Sequence, residues 1–197
     1  MVSRNLQGGE GRPAAVPWAD LAPKEMLVDW LRKHAGDGRQ AVDIACDLGD
    51  NAHALTQAGW KITAFDFAED AIVWAGKRFV DTDIDFRVAD LFDLPADWEN
   101  AFDLVHECYT LQALTGDMRE AAFTSVASLV KPGGKLLVIT RVRPDGSEAA
   151  GPPWPLTPAE LSRFADLGLE EEGTLYYYVD RPNSRVIPHA RIVYHKV

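Results

Sequence analysis

The sequence predicts an α/β fold: a mostly parallel sheet with helices on both faces. Three observations carry this reading. Apolar runs of strand length stand at 41–46, 61–66, 102–107 and 135–141; stretches with helical spacing lie between them; glycine, proline and aspartate punctuate the junctions. In such sheets the crossovers are right-handed, and the ligand crevice opens outside the carboxyl ends of the strands.

Each element has its own reason. Residues 1–15 carry Gly8, Gly9, Gly11 and Pro13 and are expected to form a mobile arm, with the domain proper over 16–197. Leu27, Trp30, Leu31 and His34 share one helical face, closed by Gly36 and Gly38. Residues 41–46 read as a buried strand. Asp50 is placed to cap a helix reaching about residue 58, which Gly59 stops. A second strand covers 61–66, a helix presenting Ile72, Ala75 and Phe79 covers 68–79, and a third strand covers 84–89. A fourth strand at 102–107 leads to a helix over 117–130. Lys131, Pro132, Gly133 and Gly134 read as a turn before the most hydrophobic strand, 135–141. Thr157 caps a helix over 158–167, with Pro158 at the favoured first position. Strands at 173–180 and 190–196 complete the pattern.

At roughly 150 residues per domain, 197 residues suggest one domain with decorations. Hydrophobic residues make up 47% and charged residues 25%, which fits a globular chain and not a disordered one. The net charge of -10 argues against nucleic acid as a partner, since that binding rests on a basic footprint. No apolar run approaches a membrane span, and the first residues lack the apolar core of a signal peptide. Two cysteines, Cys46 and Cys108, fit a reducing, cytoplasmic setting. These features favour a small-molecule protein, and they leave its oligomeric state open.

Three strand ends hold the candidate site. The first runs into DIACDLGDNA at 43–52, a strand, a small-residue turn and a helix start, where backbone N–H groups face a ligand. Ala45 and Asp47 stand at two of the three glycine positions such loops favour, so the loop reads either as a nucleotide-type turn or as a plain strand-to-helix turn. The second strand ends at Asp66, whose two carboxylate oxygens suit the two hydroxyls of a ribose; the alternative role is capping the next helix. The third ends at Asp90 and Leu91, suited to an adenine amino group and ring face, or to capping and solvation. Asp47 and Asp50 would oppose a pyrophosphate at close range, whereas a sulfonium and an ammonium tolerate them.

The loop at 43–52, AFDFA at 64–68, VADL at 88–91, FDLV at 102–105 and KPGG at 131–134 resemble, in order and spacing, the motifs of class I S-adenosylmethionine-dependent methyltransferases. Pro17 and Trp18, and GPPWPL at 151–156, are similar to features of small bacterial enzymes near the thiopurine and tellurite-resistance branch. The resemblance implies a Rossmann-like three-layer sandwich with seven strands, the last inserted antiparallel. It implies S-adenosylmethionine as cofactor, held by Trp18, Ala45, Asp47, Gly49, Asn51, Asp66, Phe67, Asp90, Leu91 and Glu107. Glu107 would lie near the methionine end and the transferred methyl.

Methyl transfer is an in-line displacement that needs alignment and exclusion of water more than a strong base. Glu107 and Tyr109 are the catalytic candidates. His106, Gln112, Arg141 and Arg143 are candidates for shaping the pocket; surface solvation is the alternative for Arg141 and the leading reading for Arg143, and buried packing is the alternative for Tyr109. Tyr176, Tyr177 and Tyr178 are expected in an edge-strand or core role. Segments around Trp18 and 151–156 are expected to roof the pocket, the alternative being that Trp18 and Trp154 pack on the helix layer. No metal-ligand spacing, G-x-S-x-G elbow or Walker loop is present. The leading reading is a methyltransferase for a small-molecule S-, N- or O-acceptor. The others are a methyltransferase-like cofactor-binding protein without turnover and an NAD-dependent oxidoreductase.

Overall fold

The computed structural model describes residues 21–179 and 186–197. The chain divides into two compact units, Met1–Asp93 and Leu94–Val197; the expected arm at 1–15 lies outside the described residues.

The first unit starts with α1 (Glu25–Leu31), which buries Leu27, Trp30 and Leu31. His34 lies just past it, stacked on Trp30 at 4.0 Å. Strand β1 (Gln40–Ile44) is apolar from Ala41 on, save for a buried Asp43. After it come α2 (Asp50–Gln57), β2 (Lys61–Asp66), α3 (Glu69–Arg78) and β3 (Asp85–Val88). β1 and β2 pair in parallel from Gln40 opposite Lys61 to Ile44 opposite Phe65, and β2 pairs with β3 in the same sense. Asp50 does not cap α2. Gly49 occupies that position with φ 85, and the Asp50 carboxylate turns to the Arg78 guanidinium at 2.7 Å through both its oxygens.

The second unit contains β4 (Phe102–Cys108), α4 (Gly116–Leu129), β5 (Val130–Arg141), α5 (Pro158–Leu161), α6 (Arg163–Asp166), β6 (Leu169–Val179) and β7 (Ile187–Lys196), with short 3-10 turns at Ala96–Trp98 and Leu111–Ala113. β4 and β5 are parallel; β7 is antiparallel to both β5 and β6 and lies between them. The seven strands described follow the order β3-β2-β1-β4-β5-β7-β6. That is the expected sheet, with β7 as the inserted strand.

Two expectations here need correction. The 131–134 segment is not a turn before β5 but part of it. Pro132 has no N–H to donate and Gly133 sits at φ 76, so the pairing slips: Phe102 faces Val130 while Leu104 faces Lys135. The helix expected over 158–167 breaks in two at Ser162, whose hydroxyl donates back to the Ala159 carbonyl at 2.8 Å. Its start is as expected and stronger. Thr157 and Glu160 form a reciprocal capping box.

Leu136, Leu137, Val138 and Ile139 are fully buried in β5, and α4 sets Ala122, Phe123 and Val126 into the same core. Phe164 packs edge-on to Phe123 at 4.8 Å and against Tyr194 at 5.1 Å. Truncating such a buried ring costs about 3–5 kcal/mol. This core fixes the carboxyl ends of β4 and β5, where the second group of candidate residues stands.

Candidate functional site

In the first unit, residues 45–49 turn the chain from β1 into α2. Ala45, Asp47 and Gly49 all have left-handed backbone, with φ 50, 48 and 85. A side chain in that region is disfavoured by roughly 1–2 kcal/mol, less for aspartate. The turn is held in place despite this. Cys46 N donates to Phe65 O at 2.9 Å, Gly49 N to Cys46 O at 2.9 Å, and Arg78 Nη1 to Leu48 O at 2.6 Å.

Asp66 ties the turn to the end of β2. Its Oδ2 accepts from Asp47 N at 3.2 Å and its Oδ1 from Ala68 N at 2.9 Å. A carboxylate offers about four acceptor positions, and the Phe67 N–H takes part as well, so Asp66 keeps acceptor capacity for a ligand. Burial raises the Asp66 carboxyl from its ordinary value, the backbone N–H groups of Ala68, Asp47 and Phe67 oppose that rise, and Asp43 adds to it. Burial, and after it the carboxylates of Asp43, Asp66 and Asp47, push the Cys46 thiol well up. This turn therefore sits in negative potential and suits a cation better than a phosphate.

Other candidates of this unit have local duties. Asn51 Oδ1 accepts from Lys24 N at 3.0 Å. Phe67 is 60% exposed beside Asp66, and Leu91 is buried. Asp90 is exposed and accepts from Phe92 N at 2.9 Å, while Ala89 N donates to Asp66 O at 3.1 Å. Thus Ala45, Asp47, Gly49 and Asp66 are brought together, and β3 delivers Asp90 and Leu91 next to β2. Trp18 lies outside the described residues.

In the second unit, Glu107 is fully buried at the end of β4. Its Oε1 accepts from Thr110 N at 2.7 Å and Leu111 N at 3.0 Å. Its Oε2 is buried, with the Thr110 hydroxyl beside the carboxyl. Burial lifts the carboxyl to about 7; the Leu111 and Thr110 N–H groups and the His106 charge hold it back. Such a group gains or loses a proton near neutrality. Tyr109 follows with φ 68, its N donating to Ile139 O at 3.1 Å.

Gln112 joins this turn to β5: its Oε1 accepts from Arg141 N at 2.7 Å, and its backbone O accepts from Trp154 N at 2.7 Å. Arg143 is not a solvated surface residue. Its Nε donates to Pro155 O at 2.8 Å and its Nη2 to Glu160 at 3.3 Å. The segment expected as a lid is fastened on both sides of Trp154, because Arg119 Nη2 also donates to Trp154 O at 2.9 Å.

Sequence reasoning missed Arg78 and Arg119. Arg119 is a buried hub, donating to Leu111 O, Leu114 O, Trp154 O and Glu160 Oε1. Its signal was present: it sits on the Ala122, Phe123 and Val126 stripe of α4, where a cation must be paired. Among the described residues no group of three metal-ligating side chains occurs.

A family model described as a methyltransferase domain matches residues 41–134. The chain is 31% identical over 117 residues to the cypemycin N-terminal methyltransferase of Streptomyces sp, a match covering 58% of this chain and 47% of that protein. It is 30% identical over 105 residues to a ubiquinone biosynthesis O-methyltransferase of Xanthomonas euvesicatoria, covering 52% of this chain and 43% of that one. The chain thus spans less than half the length of these two relatives. In fold it is similar to the N-methyltransferase NodS of Bradyrhizobium japonicum, solved with S-adenosyl-l-homocysteine, with TM-score 0.73, 16% identity, and coverage of 99% of this chain and 98% of that one.

Proposed function

We propose that this chain, which belongs to the class I S-adenosylmethionine-dependent methyltransferases, moves a methyl group from that cofactor to a small-molecule acceptor. The observation that carries this reading is the turn at 45–49: left-handed backbone tied to Asp66, surrounded by the carboxylates of Asp43, Asp47 and Asp66. A pyrophosphate placed there would meet repulsion, which weighs against an NAD-dependent oxidoreductase. A ligand bearing a sulfonium and an ammonium meets attraction.

The residues fit that cofactor. Asp66 keeps acceptor capacity for a ribose hydroxyl, Leu91 offers an apolar surface for the adenine, and Asp90 carries a carboxylate beside it. When bound, the cofactor supplies an activated methyl on a positively charged sulfur. Ala45, Asp47 and Gly49 shape the turn that receives its methionine portion; Asn51, Phe67 and Trp18 complete the proposed contacts.

On the acceptor side, Glu107 is fixed through Oε1 and keeps Oε2 for a proton or a polar group. Its carboxyl, lifted to about 7, takes the proton of an O- or N-acceptor as the new bond forms. A thiolate acceptor arrives deprotonated and uses Glu107 for orientation alone. Tyr109 is held by its backbone at the same strand end and positions the acceptor.

Calorimetric titration with S-adenosylmethionine and with NAD tests the cofactor: the first should bind and the second should not. Methyl transfer to a panel of thiols, amines and phenols then separates an enzyme from a binding protein without turnover. Absence of transfer to every acceptor, with the cofactor bound, overturns the catalytic reading.

A further inference from the structure

The carboxyl end of β5 continues into a cross-strand row that the methyl-transfer reading leaves without a task. Arg141 in β5 faces His189 in β7, and His189 faces Tyr177 in β6. Directly paired residues put their side chains on one face of a sheet, so these three stand side by side. The neighbouring row on that face is Ile139, Arg191 and Leu175. His189 is buried, its ring 5.3 Å from the Tyr177 ring and nearly parallel to it, and 5.7 Å from the Tyr109 ring.

The charges of this face run against those of the chain. The net charge is -10, yet neither row contains an acid, and together they bring in Arg141 and Arg191. The acids of β6, Glu170, Glu171 and Glu172, lie toward the opposite end of the strand, the first two paired with His195 and Tyr194. Arg141 Nε is buried with no hydrogen-bond partner among the described residues. Its backbone is pinned, the N–H by Gln112 Oε1 at 2.7 Å and the carbonyl by Leu156 N at 3.0 Å. Arg141 is half-buried as a residue, and its two terminal nitrogens carry four N–H donors that a carboxylate satisfies in both charge and geometry. Beside it, the half-buried rings of Tyr109 and Tyr177, packed around His189, offer faces and edges to a flat apolar group.

We infer that this row is the acceptor subsite and that it takes an aromatic acid, its carboxylate on Arg141 and its ring against Tyr109 and Tyr177. The inference rests on the methyltransferase reading only for the word acceptor; the binding chemistry stands on the row itself. It also gives Tyr109 a partner in the work of positioning.

The test is calorimetric titration of the full chain with protocatechuate, anthranilate and thiosalicylate, which carry O-, N- and S-nucleophiles on a benzoate ring. Catechol, aniline and thiophenol serve as the counterparts without carboxylate, and cyclohexanecarboxylate as the acid without aromaticity. At least one aromatic acid should bind tenfold or more tightly than its decarboxylated counterpart and than cyclohexanecarboxylate. Arg141→Gln should erase that preference while S-adenosylmethionine affinity stays within twofold, and Arg141→Lys should restore part of it. Equal binding of acids and counterparts, a preference that survives Arg141→Gln, or binding of none of the three acids overturns the subsite. Tight binding of cyclohexanecarboxylate overturns its aromatic half. A separate titration with S-adenosylmethionine keeps the two readings apart: aromatic acids bound without it sink the methyltransferase and spare the subsite, and the converse result does the reverse.

Discussion

Replacing Glu107 by glutamine should flatten one limb of the protein's stability against pH. The carboxyl is fully buried and lifted from 4.5 to about 7, chiefly by burial. At roughly 1.4 kcal/mol per tenfold change in proton affinity, that displacement corresponds to about 3 kcal/mol between the two protonation states. The sign follows from which state holds the proton. Between pH 4.5 and about 7 the folded chain keeps it while the unfolded chain has released it, so stability falls as pH rises through that window. The contribution is present in full below the window and gone above it. Glutamine cannot ionise, so the variant lacks this decline. Any fixed penalty for its amide shifts the whole curve without changing its slope. The assay is urea unfolding of both proteins at several values from about pH 4.5 to 8, comparing midpoints at equal slope. The difference between wild type and variant should move in the variant's favour by about 3 kcal/mol across the window. Asp66, whose carboxyl is also raised, is common to both and cancels. Parallel curves would refute the reasoning and would mean that Glu107 is ionised in the folded chain throughout.

Other substitutions test the remaining parts. Asp66→Ala should weaken S-adenosylmethionine binding at least tenfold in calorimetry, since hydrogen bonds to a charged group are each worth about 1.5–3 kcal/mol; unchanged affinity in a folded variant removes Asp66 from the site. Asp47→Gly should tighten cofactor binding, because the space its side chain takes beside the ligand outweighs the attraction of one carboxylate among three; weaker binding would make the carboxylate a ligand for the cofactor's ammonium. Arg119→Met should lower unfolding free energy by about 3–5 kcal/mol, as it leaves Glu160 and three carbonyls without their buried donor. A loss below about 1 kcal/mol in denaturant titration would show that water replaces the guanidinium. Ala45→Gly should raise the melting temperature by a few degrees, because relief of φ 50 outweighs the added chain entropy; a lower melting temperature in a thermal scan would show that the turn holds Ala45 without strain.

Much of this was legible because the strands announce themselves. Residues 136–139 have no reading other than a buried strand, and the acid at the end of β2 is placed by the strand's length. The turn at 45–49 was legible in location and in its need for left-handed backbone, which Ala45 and Asp47 adopt without being glycine. What escaped was everything decided by distant pairing. Nothing local tells that Asp50 prefers Arg78 to its own helix start, nor that Arg143 reaches Pro155 and Glu160. The slip at Pro132 and Gly133 is likewise set by what β4 offers on the other side. Likewise Tyr177 reads as an edge-strand or core residue, and only the antiparallel register brings it and His189 beside Arg141.

The order in which the strands are made differs from the order in which they pair. β6 leaves the ribosome before β7, yet β7 supplies its pairing in the sheet and lies between it and β5. Until residues 187–196 emerge, β5 has one open flank and β6 has no strand at all, and both present unpaired backbone to other chains. The exposed rings of Tyr176 and Tyr178 add apolar surface to that interval. Synthesis of this protein therefore contains a window of vulnerability that closes with its last strand, and a slow codon run or a premature stop before residue 187 would lengthen it into aggregation.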